Sequence, residues 1–136
     1  MVRDIVRDPL LLAKKSLPAT EEDLPVAEDL LDTLRAHLDH CVGLAANMIG
    51  ERKRIIAVCN GPLLVVMLNP AILRKSGEYE TEESCLSLEG SRKTRRYRTI
   101  TVSWQDTAMK SHTDTLNGYM AQIVQHEIDH CNGILI

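Results

Sequence analysis

The sequence predicts an α+β fold in which mainly antiparallel β-sheet packs around a C-terminal helix. Three observations carry it: a helical apolar stripe in the N-terminal third, alternating β-branched segments in the middle, and a return to helical period at the end. That last segment contains the pattern H-E-x-x-H, from His126 to His130.

The first helix is expected from Thr20 to His40. Thr20 with Asp23 suits a capping box, and Pro25 suits the first turn. Val26, Ala27, Leu30, Leu31, Leu34 and Leu38 form one apolar stripe, with Glu28, Asp29 and Asp32 early and Arg35 late, as the helix dipole prefers. The segments RIIAVC and LLVVML then flank Asn60-Gly61-Pro62 and read as a hairpin from Arg54 to Leu68. In TITVSW, Ile100, Val102 and Trp104 alternate with Thr99, Thr101 and Ser103, the mark of a half-buried strand. A second helix is expected from about Leu116 to His130, with Gly133 placed to end it.

The length of 136 residues and a hydrophobic fraction of 44% suit one domain, residues 1–136, with a single core. A net charge of -3 leaves no basic surplus for a phosphate backbone, so nucleic acid is not an expected partner. The local basic run Arg92, Lys93, Arg95, Arg96 and Arg98 reads as a solvated surface. No stretch approaches the roughly 18 apolar residues of a membrane span. PLLLAKK is too short and too closely flanked by charge for a signal peptide, so a cytoplasmic protein is expected. Its cysteines, Cys41, Cys59, Cys85 and Cys131, should then be reduced.

On a helical wheel at about 100° per residue, Leu116, Met120, Ile123, Val124 and Cys131 share one face. Glu127 lies near its centre, and Gly118, Gln122, Gln125 and Asp129 lie opposite. His126 and His130 sit on the flank about 40° apart, so both imidazoles can converge on one point. A buried carboxylate beside two stacked histidines is expensive unless a cation joins them. A metal site follows, with two imidazole ligands and Glu127 placed to take a proton from water activated by the metal. That chemistry is hydrolysis of a carbonyl compound.

Such sites take three protein ligands. Cys131 is too close in sequence to His130 to reach round the metal, so the third ligand must come from upstream. His37, His40, His112, Cys41, Cys59, Cys85 and several acids are candidates, and spacing does not choose among them.

Three segments resemble, in order, the motifs of peptide deformylases. CVGLAANMIG (Cys41–Gly50) resembles G-x-G-L-A-A-x-Q, ESCLSLEG (Glu83–Gly90) resembles E-G-C-L-S, and QHEIDHCNG (Gln125–Gly133) resembles Q-H-E-x-D-H-x-x-G. The resemblance implies the peptide deformylase fold and removal of the formyl group from N-formylmethionyl peptides, met at the ribosome. It implies Cys85 as the third ligand beside His126 and His130, Glu127 as general base and acid, and the backbone N–H of Leu86 as an oxyanion donor. It further implies Fe(II) as the physiological ion, with Zn(II) or Ni(II) as substitutes. Val42, Gly43 and Leu44 would pair with the substrate backbone as an added strand. Tyr119, Gln122 and Ile123 would form the pocket for the first side chain, and Arg92 would meet the peptide further along. Gln125 and Asp129 would act as supports.

Three positions depart from the motifs. Cys41 and Ser84 stand where the family has glycine, and Met48 stands where a glutamine amide donates to the substrate carbonyl. A thioether cannot donate, and losing one such donor costs about 100- to 1000-fold in turnover. The departures admit an impaired paralogue or a hydrolase of another small N-acyl substrate as alternatives. A copper electron-transfer site is disfavoured, because its two histidines are not normally an i, i+4 pair around a glutamate. The oligomeric state is not legible.

Overall fold

Asn60 and Leu63 face each other across Gly61-Pro62, where Gly61 takes φ 61°. That is the positive φ a two-residue hairpin turn needs at its first central position. The computed structural model describes residues 1–136. The helices are α1 (Pro9–Leu12), α2 (Leu24–Ala36) and α3 (Gly118–Cys131). The strands are β1 (Gly43–Ala45), β2 (Ile55–Asn60), β3 (Leu63–Cys85), β4 (Leu88–Gln105) and β5 (Ser111–Asn117). They form one five-stranded antiparallel sheet in chain order, with β1 at one edge and β5 at the other. The core lies where α2 and α3 meet the sheet, and joins Leu30 and Leu34, Ile55 to Val58, Ile100, Val102, Val124 and Ile128.

The N-terminal helix is shorter than its apolar pattern. The Thr20–Asp23 box forms, but it caps a 3-10 turn over Glu21–Asp23, and α2 begins at Leu24 with Pro25 in its first turn. Ala27, Leu30 and Leu34 are buried, whereas α2 ends at Ala36 and Leu38 lies beyond it in the open.

The strand expected at Thr99–Trp104 is the last third of β4, which pairs with β3 in a long hairpin. Asn69-Pro70 falls at a register shift between Leu68 and Ala71, where the ladder makes no demand on a proline. Beyond it, Glu80 faces Arg95, Glu82 faces Lys93 and Glu83 faces Arg92. Opposite charges across a sheet are stabilising, and the ion pairs that form between these strands are Arg95 with Glu78 at 3.1 Å and Arg96 with Glu83 at 2.7 Å. The basic run is therefore one rail of a hairpin, and Arg96 within it is buried, not solvated.

The terminal helix starts at Gly118, because Leu116 belongs to β5, opposite Ile100. Its far end is as expected. Gly133 adopts φ 76°, its N–H donates to the His130 carbonyl at 3.0 Å, and Ile134 N–H reaches Asp129 at 2.9 Å. This pair of bonds satisfies carbonyls that would otherwise be orphaned at the helix terminus. A Cβ on Gly133 would lie 2.4 Å from the Ala13 carbonyl, so the position is glycine for space as well as for φ.

Candidate active site

Helix α3 is buried over most of its circumference from Ile123 to Cys131. Gln125, on the polar side of the wheel, is 4% exposed, because its amide docks onto β4. Its Nε2 donates to the Tyr97 carbonyl at 2.8 Å, and its Oε1 accepts from the Tyr97 N–H at 2.9 Å. The side chain thus makes the two bonds a neighbouring strand would make. Asp129, one turn on, accepts from Arg96 Nη1 at 2.7 Å.

Arg96 also grips Glu83 through Nε and Nη2, the shortest contact being 2.7 Å to Oε1. Glu83 accepts from Gln122 Nε2 at 2.8 Å and lies 2.8 Å from Nδ1 of His126. Burial alone would raise the Glu83 carboxyl, but the bonds from His126, Arg96 and Gln122 outweigh it and hold it at about 2. An ionised Glu83 on Nδ1 fixes the His126 ring, so that Nε2 faces the opposite way.

There Nε2 of His126 meets Nε2 of His130 at 3.0 Å. Cys85, the last residue of β3, completes the group: its Sγ and the two imidazoles offer ligand atoms within 4.8 Å of one another. Burial works against a charge on His126, yet Cys85, Glu83 and Glu127 overcome it and raise its pKa to about 10. Burial and then the His126 charge push His130 down to about 3. The two shifts run in opposite directions because the imidazoles are coupled where their Nε2 atoms face each other. One soft and two borderline donors suit a divalent transition metal, and the residues present fit such an ion.

Glu127 is 4% exposed, and its Oε1 has no hydrogen-bond partner. Burial raises its pKa to about 7, with nearby Glu83 adding to the rise and His126 opposing it. Gly43 of β1 presses on it: a Cβ there would lie 2.9 Å from Glu127 Oε2 and 3.0 Å from Ile123 Cγ2. Gly43 therefore makes room for the carboxylate, a reason invisible in the sequence.

A cavity of about 680 Å³ opens over these groups and is lined by Val42, Gly43, Met48, Cys85, Leu86, Tyr119, Gln122, Ile123, His126 and Glu127, among others. His130 is wholly buried beneath the imidazole of His126. Leu44 is also fully buried, with its side chain in the core. Arg92 lies outside the cavity, its guanidinium donating to the Glu89 carbonyl at 3.3 Å. Met48 is 1% exposed, and its Sδ accepts the Ala45 N–H at 3.5 Å. Glu83 and Arg96 carry no ligand pattern of their own. Their part depends on strand register, which local sequence does not reveal.

Fold and site together define a class: a metal-dependent hydrolase of the HExxH kind, with a candidate set of thiol and imidazole donors drawn from a strand end and a helix. The family model for polypeptide deformylase matches residues 2–136. The chain belongs to the peptide deformylase family. A peptide deformylase of Clostridium beijerinckii is 56% identical over 136 residues, which span 100% of both chains. The crystal structure of peptide deformylase from Thermotoga maritima superposes with a TM-score of 0.89 at 32% identity, over 99% of this chain and 95% of that one. A class I type b peptide deformylase from Acinetobacter baumannii with bound Met-Ala-Ser also gives 0.89, at 28% identity, over 99% and 97%. The activity is removal of the N-terminal formyl group from nascent peptides by a metalloenzyme.

Proposed function

We propose that residues 1–136 act as a single catalytic domain in which Cys85, His126 and His130 hold the metal and Glu127 moves the proton. The observation that carries this is the convergence of three donors within 4.8 Å beside a buried carboxylate in one cavity. When bound, the ion supplies Lewis acidity toward the formyl carbonyl and toward water. Fe(II) is our assignment, because a thiolate with two imidazoles suits it, with Zn(II) or Ni(II) able to take its place.

Glu127 takes a proton from the attacking water and returns it to the leaving amine. Burial raises this carboxyl above its ordinary range, which suits a group that must both take and return a proton. Glu83 orients His126 and leaves the imidazole a fixed ligand. The oxyanion falls to the backbone N–H of Leu86, since the Met48 thioether packs against β1 and offers no proton.

The substrate strand lies along the free edge of β1. The Val42 carbonyl already accepts the Cys59 N–H at 2.8 Å on the β2 side, which leaves the other edge for the peptide. Tyr119 and Val42 form the rim, Ile123 forms the wall for the first side chain, and Gln122 is steadied by Glu83. N-formylmethionyl peptides, met on nascent chains at the ribosome, are the substrates this cleft fits.

The test is anaerobic loading with Fe(II) or Ni(II) and measurement of formate release from a formyl-Met peptide. Glu127→Gln should retain the metal and lose about 100- to 10,000-fold in rate. Cys85→Ala should lose the metal; retention at full stoichiometry would defeat the ligand assignment.

A further inference from the structure

Arg7 differs from every other cation near the cavity. It comes from the segment ahead of α1, is exposed, and reaches across to the Leu86–Ser87 turn, where its Nη1 donates to the Leu86 carbonyl at 2.8 Å. It lines the same cavity as Cys85, His126 and Glu127. The other non-histidine charges of that wall are the acids Asp39, Glu82, Glu83 and Glu127, and Arg96 occupies Glu83. No ion pair of the chain includes Arg7.

Its segment is also held in place. One residue earlier, the Val6 N–H donates at 2.7 Å to the carbonyl of Met48, which also lines the cavity. A guanidinium tethered by one N–H to a carbonyl, on backbone tied to the wall, has already lost much of its rotamer freedom. The rest of its planar donor fork has no protein acceptor. Such a fork matches a carboxylate, and binding one orders little that is not already ordered.

We propose that Arg7 is a carboxylate-recognising subsite of the peptide cleft, favouring formyl peptides that carry an acidic group a few residues beyond the first. This rests on the cavity being the peptide site. The carboxylate can come from an aspartate or glutamate side chain, or from the C-terminus of a short peptide. Asp39 and Glu82 repel acids elsewhere on the wall, so the preference should be confined to the position that reaches Arg7.

The experiment uses the metal-loaded enzyme and formyl-Met peptide amides with Glu or Gln at the second, third or fourth residue, plus one peptide as free acid and as amide. The wild type should show a Glu-to-Gln ratio in kcat/KM of about 3 to 5 at one position, expressed in KM and lost in about 1 M salt. In R7Q that ratio should fall to one or below, in R7E it should invert, and R7K should restore part of it. The acid–amide pair shows whether a chain terminus serves as well as a side chain.

A wild-type ratio of one or less in every arm, the acid–amide pair included, would overturn the proposal. So would a preference unchanged in R7Q, or a fall in kcat that is uniform across all peptides, the mark of mere support for the Leu86 turn. Should R7Q fail to fold, R7K and the wild-type salt series decide. An enzyme inactive on every peptide would instead refute the reading of the cavity.

Discussion

At Gly43 an added methyl forces the catalytic carboxylate to shift. Gly43→Ala puts a methyl against the Glu127 carboxylate and Ile123. A misplacement of about 1 Å in a proton-transferring group can cost about 100-fold in turnover, and this is the upper bound here. Formate release should fall by up to that order while metal content, read by atomic absorption, stays at wild-type level. Glu127 also sets the pH response. Its pKa, about 7 from burial, is drawn down by a bound cation, so the acid limb of kcat/KM in the loaded enzyme should fall between the ordinary 4.5 and about 7, rising with pH as the base form fills. An enzyme whose rate falls with pH across that interval would exclude Glu127 as the base. Met48→Gln restores an amide at the cavity wall and should raise kcat, by up to about 100-fold if the oxyanion is short of a donor. No change in kcat would mean that Leu86 suffices.

Among the elements, α3 was the most legible and β3–β4 the least. The His126–His130 spacing and Gly133 announce a helix and its end, because both depend on neighbours in sequence. The hairpin depends on which residues its register sets together: Glu83 becomes useful only once folding brings Arg96, 13 residues on, to it. Leu116 was misplaced for the same reason, since its apolar side chain fits a helix wheel as well as it fits a strand opposite Ile100. The grouping of Cys85 with His126 and His130 was readable through motif resemblance, whereas the room Gly43 gives Glu127 came only from tertiary contact. The helix end offers its own test. Gly133→Ala combines positive φ with a clash against the Ala13 carbonyl and should cost about 3 kcal/mol in urea denaturation. A loss below about 1 kcal/mol would show that the Ala13 segment yields.

Across the molecule, Arg96 is the joint between sheet and helix, with Glu83 on β3 and Asp129 on α3 both in its grip. Arg96→Met leaves Glu83 buried with only Gln122 and His126 beside it and leaves Asp129 without its cation, and should cost about 3 kcal/mol. Glu83 makes the effect pH-dependent in a fixed direction. Its folded value of about 2 lies below its ordinary 4.5, so its stabilisation is complete above about 4.5 and lost as pH falls toward 2. The stability gap between wild type and Glu83→Gln, measured in chelated protein so that metal release does not intrude, should close over that window. A gap that stays constant would mean the carboxylate charge is not what matters.

The strands pair in the order the chain makes them, with β1 beside β2 and so on to β5. β2 to β5 are linked by short connections and β1 reaches β2 through the Ala46–Ile49 3-10 turn and the residues after it, so the sheet needs no long-range search, and loop closure slows it little. We predict that α3 lands on the sheet after the β3–β4 hairpin has closed, bringing His126 and His130 to Cys85 at its tip last. Capture of the ion is thereby a clock for the final folding step. In stopped-flow refolding with Co(II), thiolate-to-metal absorbance should rise after the far-ultraviolet signal of the sheet is complete, and slowing α3 docking should delay the first without touching the second.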